Sequence, residues 1–139
     1  MTISKDIKFD CAHMLSNYEG KCSNLHGHTY HGTVTIYGDV DKSTSMVIDY
    51  NDIKKAVDMF DHAIIFSAAE ERNPAETELY EWACRYKMRK VELVHGKSTA
   101  ETLAINIARI IMMQAAGIDA VRVKLSETDG SWAIAEATE

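Results

Sequence analysis

Two histidines stand as His26-Gly27-His28, four residues after Cys22. On an extended strand side chains alternate between faces, so His26 and His28 point the same way. Gly27 between them leaves the backbone open to close approach. Two imidazoles on one face suit a transition metal, and His13, at the end of an upstream strand, supplies a third. Three neutral nitrogen ligands leave a fourth position open on zinc, as in catalytic rather than structural sites. Beyond a free buried thiol with no role, Cys22 has two readings on spacing alone. It closes the metal site as a fourth ligand, or it sits beside the open position as a proton-transfer group, its thiol acidified by a cation and a histidine. His31 has the opposite parity to His28 and falls outside the set, and His95 stands in a loop without an evident partner.

Three further features bear on chemistry. Asp61-His62 closes a helix, where a histidine is favoured by the helix dipole; alternatively, His62 relays protons with Cys22 and is oriented by a carboxylate. Glu127 has the apolar parity of its strand, which is costly for a carboxylate without a partner. Either the strand frays and exposes it, or a ligand with paired N–H donors, such as an aminopyrimidinone ring, meets it. The basic run Arg85, Lys87, Arg89 and Lys90 reads as a solvated face, with polyphosphate binding as the alternative. Cys11 shares the parity of Phe9 and reads as a small core residue, and Cys84 as a structural one.

These residues need elements to position them. At 139 residues, 46% hydrophobic and 26% charged, the chain is one domain of ordinary globular composition. A net charge of −6 argues against a broad nucleic-acid surface. No apolar run is long enough to span a membrane, the first ten residues lack the apolar core of a signal peptide, and three cysteines suit a reducing cytoplasmic compartment. A strand over residues 2–12 runs into His13, a polar loop covers 14–24, and a second strand from Leu25 to Val40 pairs back on the first. That pairing places His13 beside His26 and His28. Met46-Val47-Ile48 reads as a short extended piece. Asp49 caps a helix through Ile53, Ala56, Val57 and Phe60 that ends near Asp61-His62. Asn73-Pro74 opens a helix with Leu79, Trp82, Ala83 and Tyr86 on its apolar face. A short strand follows at 91–94. Ser98-Thr99-Ala100-Glu101 is a capping box opening a long helix. Strands at 121–127 and 131–135 finish an α+β fold with helices layered on an antiparallel sheet.

Taken together, Phe9-x-x-Ala12-His13, Cys22-x-x-x-His26-Gly27-His28, Met46-Val47-Ile48-Asp49-Tyr50, Asp61-His62, Ser98-Thr99-Ala100-Glu101 and Glu127-Thr128 resemble the 6-pyruvoyl-tetrahydropterin synthase family, with its bacterial 6-carboxy-tetrahydropterin synthase branch. The resemblance implies a tunnelling fold (T-fold): a four-stranded antiparallel sheet with two main helices on one face. Here a helix–strand insert at about 70–96 would be added. It implies trimers stacked into a homohexamer, with active sites between subunits. It implies zinc on His13, His26 and His28, and proton transfer by Cys22, Asp61 and His62. Glu127 would anchor the pterin, with Thr99 and Glu101 near the ring. The implied substrate is dihydroneopterin triphosphate. The 6-carboxy branch releases acetaldehyde and triphosphate on the route to 7-deazaguanine (queuosine-type) compounds, and the 6-pyruvoyl branch eliminates triphosphate only. The short chain and the Cys22–His26 spacing resemble the bacterial branch more. A non-catalytic oligomeric module, with structural zinc closed by Cys22, is the alternative from another class.

Overall fold

In chain order the elements are β1 (Thr2–His13), β2 (His26–Gly38), α1 (Tyr50–Asp58), β3 (Ala63–Phe66), α2 (Pro74–Arg85), β4 (Val91–Leu93), α3 (Ala100–Met112), β5 (Ile118–Ser126) and β6 (Ala133–Thr138). They come from a computed structural model that describes residues 1–88 and 90–138. Arg89, one member of the basic run, therefore lies outside the described residues.

The backbone of the fold is a hairpin of two long strands. β1 and β2 pair antiparallel from Thr2 opposite Tyr37 to His13 opposite His26. β5 adds antiparallel to β2, and β6 to β5. These four strands are the expected antiparallel sheet. Two short strands extend it past β1, giving the order β4-β3-β1-β2-β5-β6, and both run parallel to their neighbours. The sequence reading missed β3. Its run Ala63-Ile64-Ile65-Phe66 is apolar throughout and has no alternation to reveal it, as suits a strand covered on both faces.

α1 and α3 pack on one face of the sheet and on each other. Asp49 caps α1 by accepting from the Asn51 N–H at 2.8 Å. α1 buries Ile53, Ala56 and Val57, and α3 buries Leu103, Ala104, Ile107, Ala108 and Ile111. Opposite them on the sheet, Phe9 stacks on Tyr30 with ring centroids 5.1 Å apart.

Four local expectations need correction. The cap of α3 is Thr99, which accepts from the Thr102 N–H, rather than Ser98 of the expected box. Ser98 is drawn away because its Oγ donates to the Met14 carbonyl at 3.0 Å and its N–H to Ser67 Oγ at 3.1 Å. Residues 46–48 form no strand, and β6 runs from Ala133 to Thr138, later than expected. α2 is rotated relative to the expected face: Glu76 and Ala83 are buried, while Trp82, Tyr86 and Cys84 are exposed. Tyr80, not Trp82, reaches the core by packing edge-on to Phe66.

Candidate functional site

The end of the β1–β2 hairpin builds the site. Because His13 pairs with His26 and Cys11 with His28, the three histidines share one face of the sheet. Their ring centroids lie 4.6 Å (His13–His26), 4.7 Å (His26–His28) and 5.3 Å (His13–His28) apart. Gly27, between His26 and His28, lies opposite Ala12 on β1. A Cβ at that position would sit 3.3 Å from the Cys11 carbonyl oxygen, a tight contact.

Backbone carbonyls orient two of the rings. The Nδ1 of His13 hydrogen-bonds the Ser98 carbonyl, and that of His26 the Asn24 carbonyl at 2.7 Å. A carbonyl only accepts, so each Nδ1 carries the proton and each Nε2 keeps its lone pair. The Nε2 atoms of His13, His26 and His28 are all buried and lack a hydrogen-bond partner. Glu127 Oε1 lies 2.9 Å from His28 Nε2, close but outside hydrogen-bond geometry. Burial lowers the pKa of His13 against the opposing Ser98 bond, and lowers that of His28 against the opposing charge of Glu127. Both are therefore neutral near pH 7, the form that binds a metal. Three converging nitrogens without hydrogen-bond partners, two of them left unprotonated by their Nδ1 bonds, fit a metal ion.

Among the described residues, the group whose ligand atoms lie within 4.8 Å of one another is His13, His26, His28 and Glu127, without Cys22. Cys22 lies on a single 3-10 turn, Lys21–Ser23, and its loop is closed by the Leu15 N–H donating to the Cys22 carbonyl at 2.8 Å. Tyr30, whose hydroxyl donates to Glu127 Oε2 at 3.2 Å, has its pKa pushed up by burial and then by Glu127, with Cys22 a smaller contributor. Cys11 is a core residue, as expected, and burial, followed by Glu127, pushes its thiol up to about 12.

A cavity of about 340 Å³ adjoins the cluster and is lined by Glu127, Thr99, Glu101, Tyr18, Thr128 and Trp132, among others. The structure thus brings Glu127, Thr99 and Glu101 together. Glu127 lies just past the end of β5, and its side chain is 24% exposed. It neither frays into solvent nor points into the core.

Asp61 and His62 lie elsewhere. The Asp10 N–H donates to Asp61 Oδ1 at 3.0 Å, and the His62 N–H donates to the Asp10 carbonyl at 2.6 Å. His62 adopts a φ of 58°, the left-handed region few side chains favour, which turns the chain sharply into β3. Its Nδ1 lies 2.9 Å from Asp61 Oδ2, and its side chain is 76% exposed. The Asp10 N–H, with smaller help from His62 and Lys90, holds the Asp61 carboxyl below its usual range. Lys90 Nζ donates to the carbonyls of Asp58 and Asp61 at 2.8 and 2.7 Å, so this member of the basic run braces the turn. His62 shares a cavity with Asp10, Cys11, Gly27, His28 and Thr29, so residues of both strand parities, the metal histidine His28 included, border it. Within one chain the ring of His62 pairs with Asp61 and is largely exposed.

A family model described as 6-pyruvoyl tetrahydropterin synthase matches residues 2–138. The 6-carboxy-5,6,7,8-tetrahydropterin synthase of Haemophilus influenzae is 49% identical over 78 residues, covering 50% of this chain and 55% of that protein. The chain thus aligns with about half the length of that relative. The Rickettsia bellii protein of the same name is 26% identical over 133 residues, covering 90% of this chain and 92% of its own. The crystal structure of 6-pyruvoyl tetrahydropterin synthase from Plasmodium vivax matches 100% of this chain and 99% of its own with a TM-score of 0.62 at 16% identity. An uncharacterized Wolinella succinogenes protein matches 100% and 98% with a TM-score of 0.70 at 18% identity. At such identities the structures establish the fold, the T-fold. With its model matched over nearly the whole length, the chain belongs to the 6-pyruvoyl tetrahydropterin synthase family.

Proposed function

We propose that the protein is a zinc-dependent lyase that converts dihydroneopterin triphosphate to 6-carboxy-tetrahydropterin, releasing acetaldehyde and triphosphate, in a queuosine-type 7-deazaguanine route. The observation that carries this reading is the set of three buried, partnerless Nε2 atoms on His13, His26 and His28 beside the cavity that Glu127 lines. His13, His26 and His28 would hold zinc, which as a Lewis acid would acidify the side-chain hydroxyls of the substrate. Glu127 would accept the paired N–H groups of the pterin ring, with Thr99 and Glu101 flanking it in a cavity of ordinary ligand size. Cys22, outside the ligand group, would take and return the proton at the reacting carbon.

Asp61 and His62 complete the reading only across a subunit boundary. The largely exposed ring of His62, paired with Asp61, supports an active site shared between subunits, with His62 of one copy serving Cys22 of another. Among the described residues β4 and β6 end the sheet with unpaired edges, which supports assembly of sheets into the closed barrels of a homohexamer. The free thiols Cys11, Cys22 and Cys84 and the net charge of −6 support a cytoplasmic enzyme with a small-molecule substrate rather than a nucleic acid. Among the described residues no helix is long and apolar enough to cross a membrane.

The branch is favoured by relatives named 6-carboxy-tetrahydropterin synthase in Haemophilus influenzae and Rickettsia bellii. A second reading, triphosphate elimination alone, is favoured by a Drosophila melanogaster relative named 6-pyruvoyl tetrahydrobiopterin synthase, 32% identical over 96 residues. Incubation with dihydroneopterin triphosphate and mass analysis of the products decides between them. Acetaldehyde with 6-carboxy-tetrahydropterin supports the first reading; triphosphate without acetaldehyde supports the second; neither product refutes both.

A further inference from the structure

One buried side chain in the 70–96 segment is not accounted for by the reaction. Glu76, in the first turn of α2, is fully buried. Among the described residues no lysine or arginine pairs with it. A buried carboxylate without a cation is costly unless fixed donors and a helix N-terminus stabilise it. Both are present. Glu76 Oε1 accepts from the Ser67 N–H at 2.7 Å, and Oε2 accepts from the Ser16 hydroxyl, which in turn accepts from the Asn73 N–H at 2.8 Å.

The hydrogen bonds continue from there to the metal cluster. Ser67 Oγ accepts from the Ser98 N–H at 3.1 Å. The Ser98 carbonyl accepts from His13 Nδ1, and the Ser98 hydroxyl holds the Met14 carbonyl, next to His13. Ser16, Ser67, Glu76, Ser98 and His13 are each at most 1% exposed, so water cannot substitute for a missing member. At its other end the chain reaches Ser16, within the loop whose closure carries Cys22.

We propose that Glu76 is a positioning residue for the metal centre. Through Ser67 and Ser98 it sets the ring of His13, and through Ser16 it sets the loop that carries Cys22. In this way α2 is made part of the site's support. The proposal rests on the reading that the three histidines bind a metal. Partners that hold a metal ligand in place typically change metal affinity by about 10–100-fold when removed, and Glu76 acts through intervening serines, so we expect the lower end.

The test uses the full chain with Glu76→Gln, Ser67→Ala and the double variant. Gln keeps the shape but removes the charge and sets its NH₂ against either the Ser67 N–H or the Ser16 hydroxyl, so it weakens both arms. Zinc affinity is measured by competition with a chromophoric chelator. The cobalt-substituted proteins are compared by their visible absorption, and the metal-free proteins by thermal melting. Both single variants should weaken zinc by about tenfold and shift the cobalt bands, and the double variant should be no weaker than the worse single, because the residues act in one chain. A variant that melts earlier but keeps wild-type zinc affinity and cobalt spectrum overturns the proposal and leaves the metal reading intact. If Glu76→Gln does not fold, Ser67→Ala decides by the same two readouts. Failure of the wild type itself to bind zinc or cobalt sinks the metal reading, and the proposal with it.

Discussion

Replacing Glu127 by Gln separates a pterin anchor from a fourth metal ligand. Glu127 Oε1 lies 2.9 Å from His28 Nε2, and Oε2 takes the Tyr30 hydroxyl at 3.2 Å, so the carboxylate is poised between metal cluster and cavity. As an anchor it accepts two charge-assisted hydrogen bonds from the ring, each worth about 1.5–3 kcal/mol. With its side chain about a quarter exposed, the lower end applies. Gln places an NH₂ against one ring N–H and removes the charge, so roughly 3 kcal/mol is lost, about 100-fold in Kd. Fold stability should change little, because the Gln carbonyl can still accept from the buried Tyr30 hydroxyl. The assay is calorimetric titration with neopterin, a pterin that keeps the side-chain hydroxyls but lacks triphosphate, alongside zinc counting on the same samples. Weakened neopterin binding at full zinc occupancy is expected. Zinc loss with unchanged neopterin affinity would refute the anchor role and make Glu127 a ligand.

Other outcomes follow from the same geometry. Cys22→Ala should keep its full zinc content and lose at least about 100-fold in turnover, as measured by metal analysis and product formation; loss of zinc would return Cys22 to the coordination sphere. Mixing inactive Cys22→Ala and His62→Ala subunits after dissociation and reassembly should restore activity if the site is shared between copies, and no recovery counts against the shared site. Burial depresses the folded-state pKa of His13 and His28 below the ordinary 6.5, so the unfolded chain binds more protons. Their contribution to metal-free stability is therefore present above about pH 6.5 and is lost as pH falls through the folded-state values; thermal melting from pH 8 to pH 5 reads this, and a flat profile is the contrary result. With Cys11 buried and its thiol pushed up to about 12, a water-soluble thiol reagent should modify the native protein at Cys22 and Cys84 but reach Cys11 only after unfolding.

Much of the site was legible from local pattern. Strand alternation put His26 and His28 on one face, and a two-stranded hairpin brought His13 opposite His26, because parity and antiparallel pairing are local rules. The caps at Asp49 and Asn73 were readable for the same reason, each needing only a side chain two or three residues from the N–H it accepts from. Glu127 announced itself as a carboxylate on an apolar parity, although its neighbour at His28 could not be named.

Long-range partners decided the rest. Ser98 looks like a cap, yet Ser67, Met14 and His13 hold it, and these lie 31 to 85 residues away. The capping alternative was local and satisfactory, and only the folded chain shows that other bonds displaced it. β3 was missed because an all-apolar tetrapeptide reads the same in a helix, a core loop or a covered strand. α2 buries Glu76 and exposes Trp82, because the donors waiting at Ser16 and Ser67 outweigh the hydrophobicity of an aromatic that no core surface reaches. Residue types and spacing by themselves determined that three histidines converge, since that requires only two adjacent strands. Tertiary structure alone decided that Cys22 stays out of the ligand group and that the ring of His62 is left largely exposed beside Asp61, because both depend on where a distant turn comes to rest against the sheet.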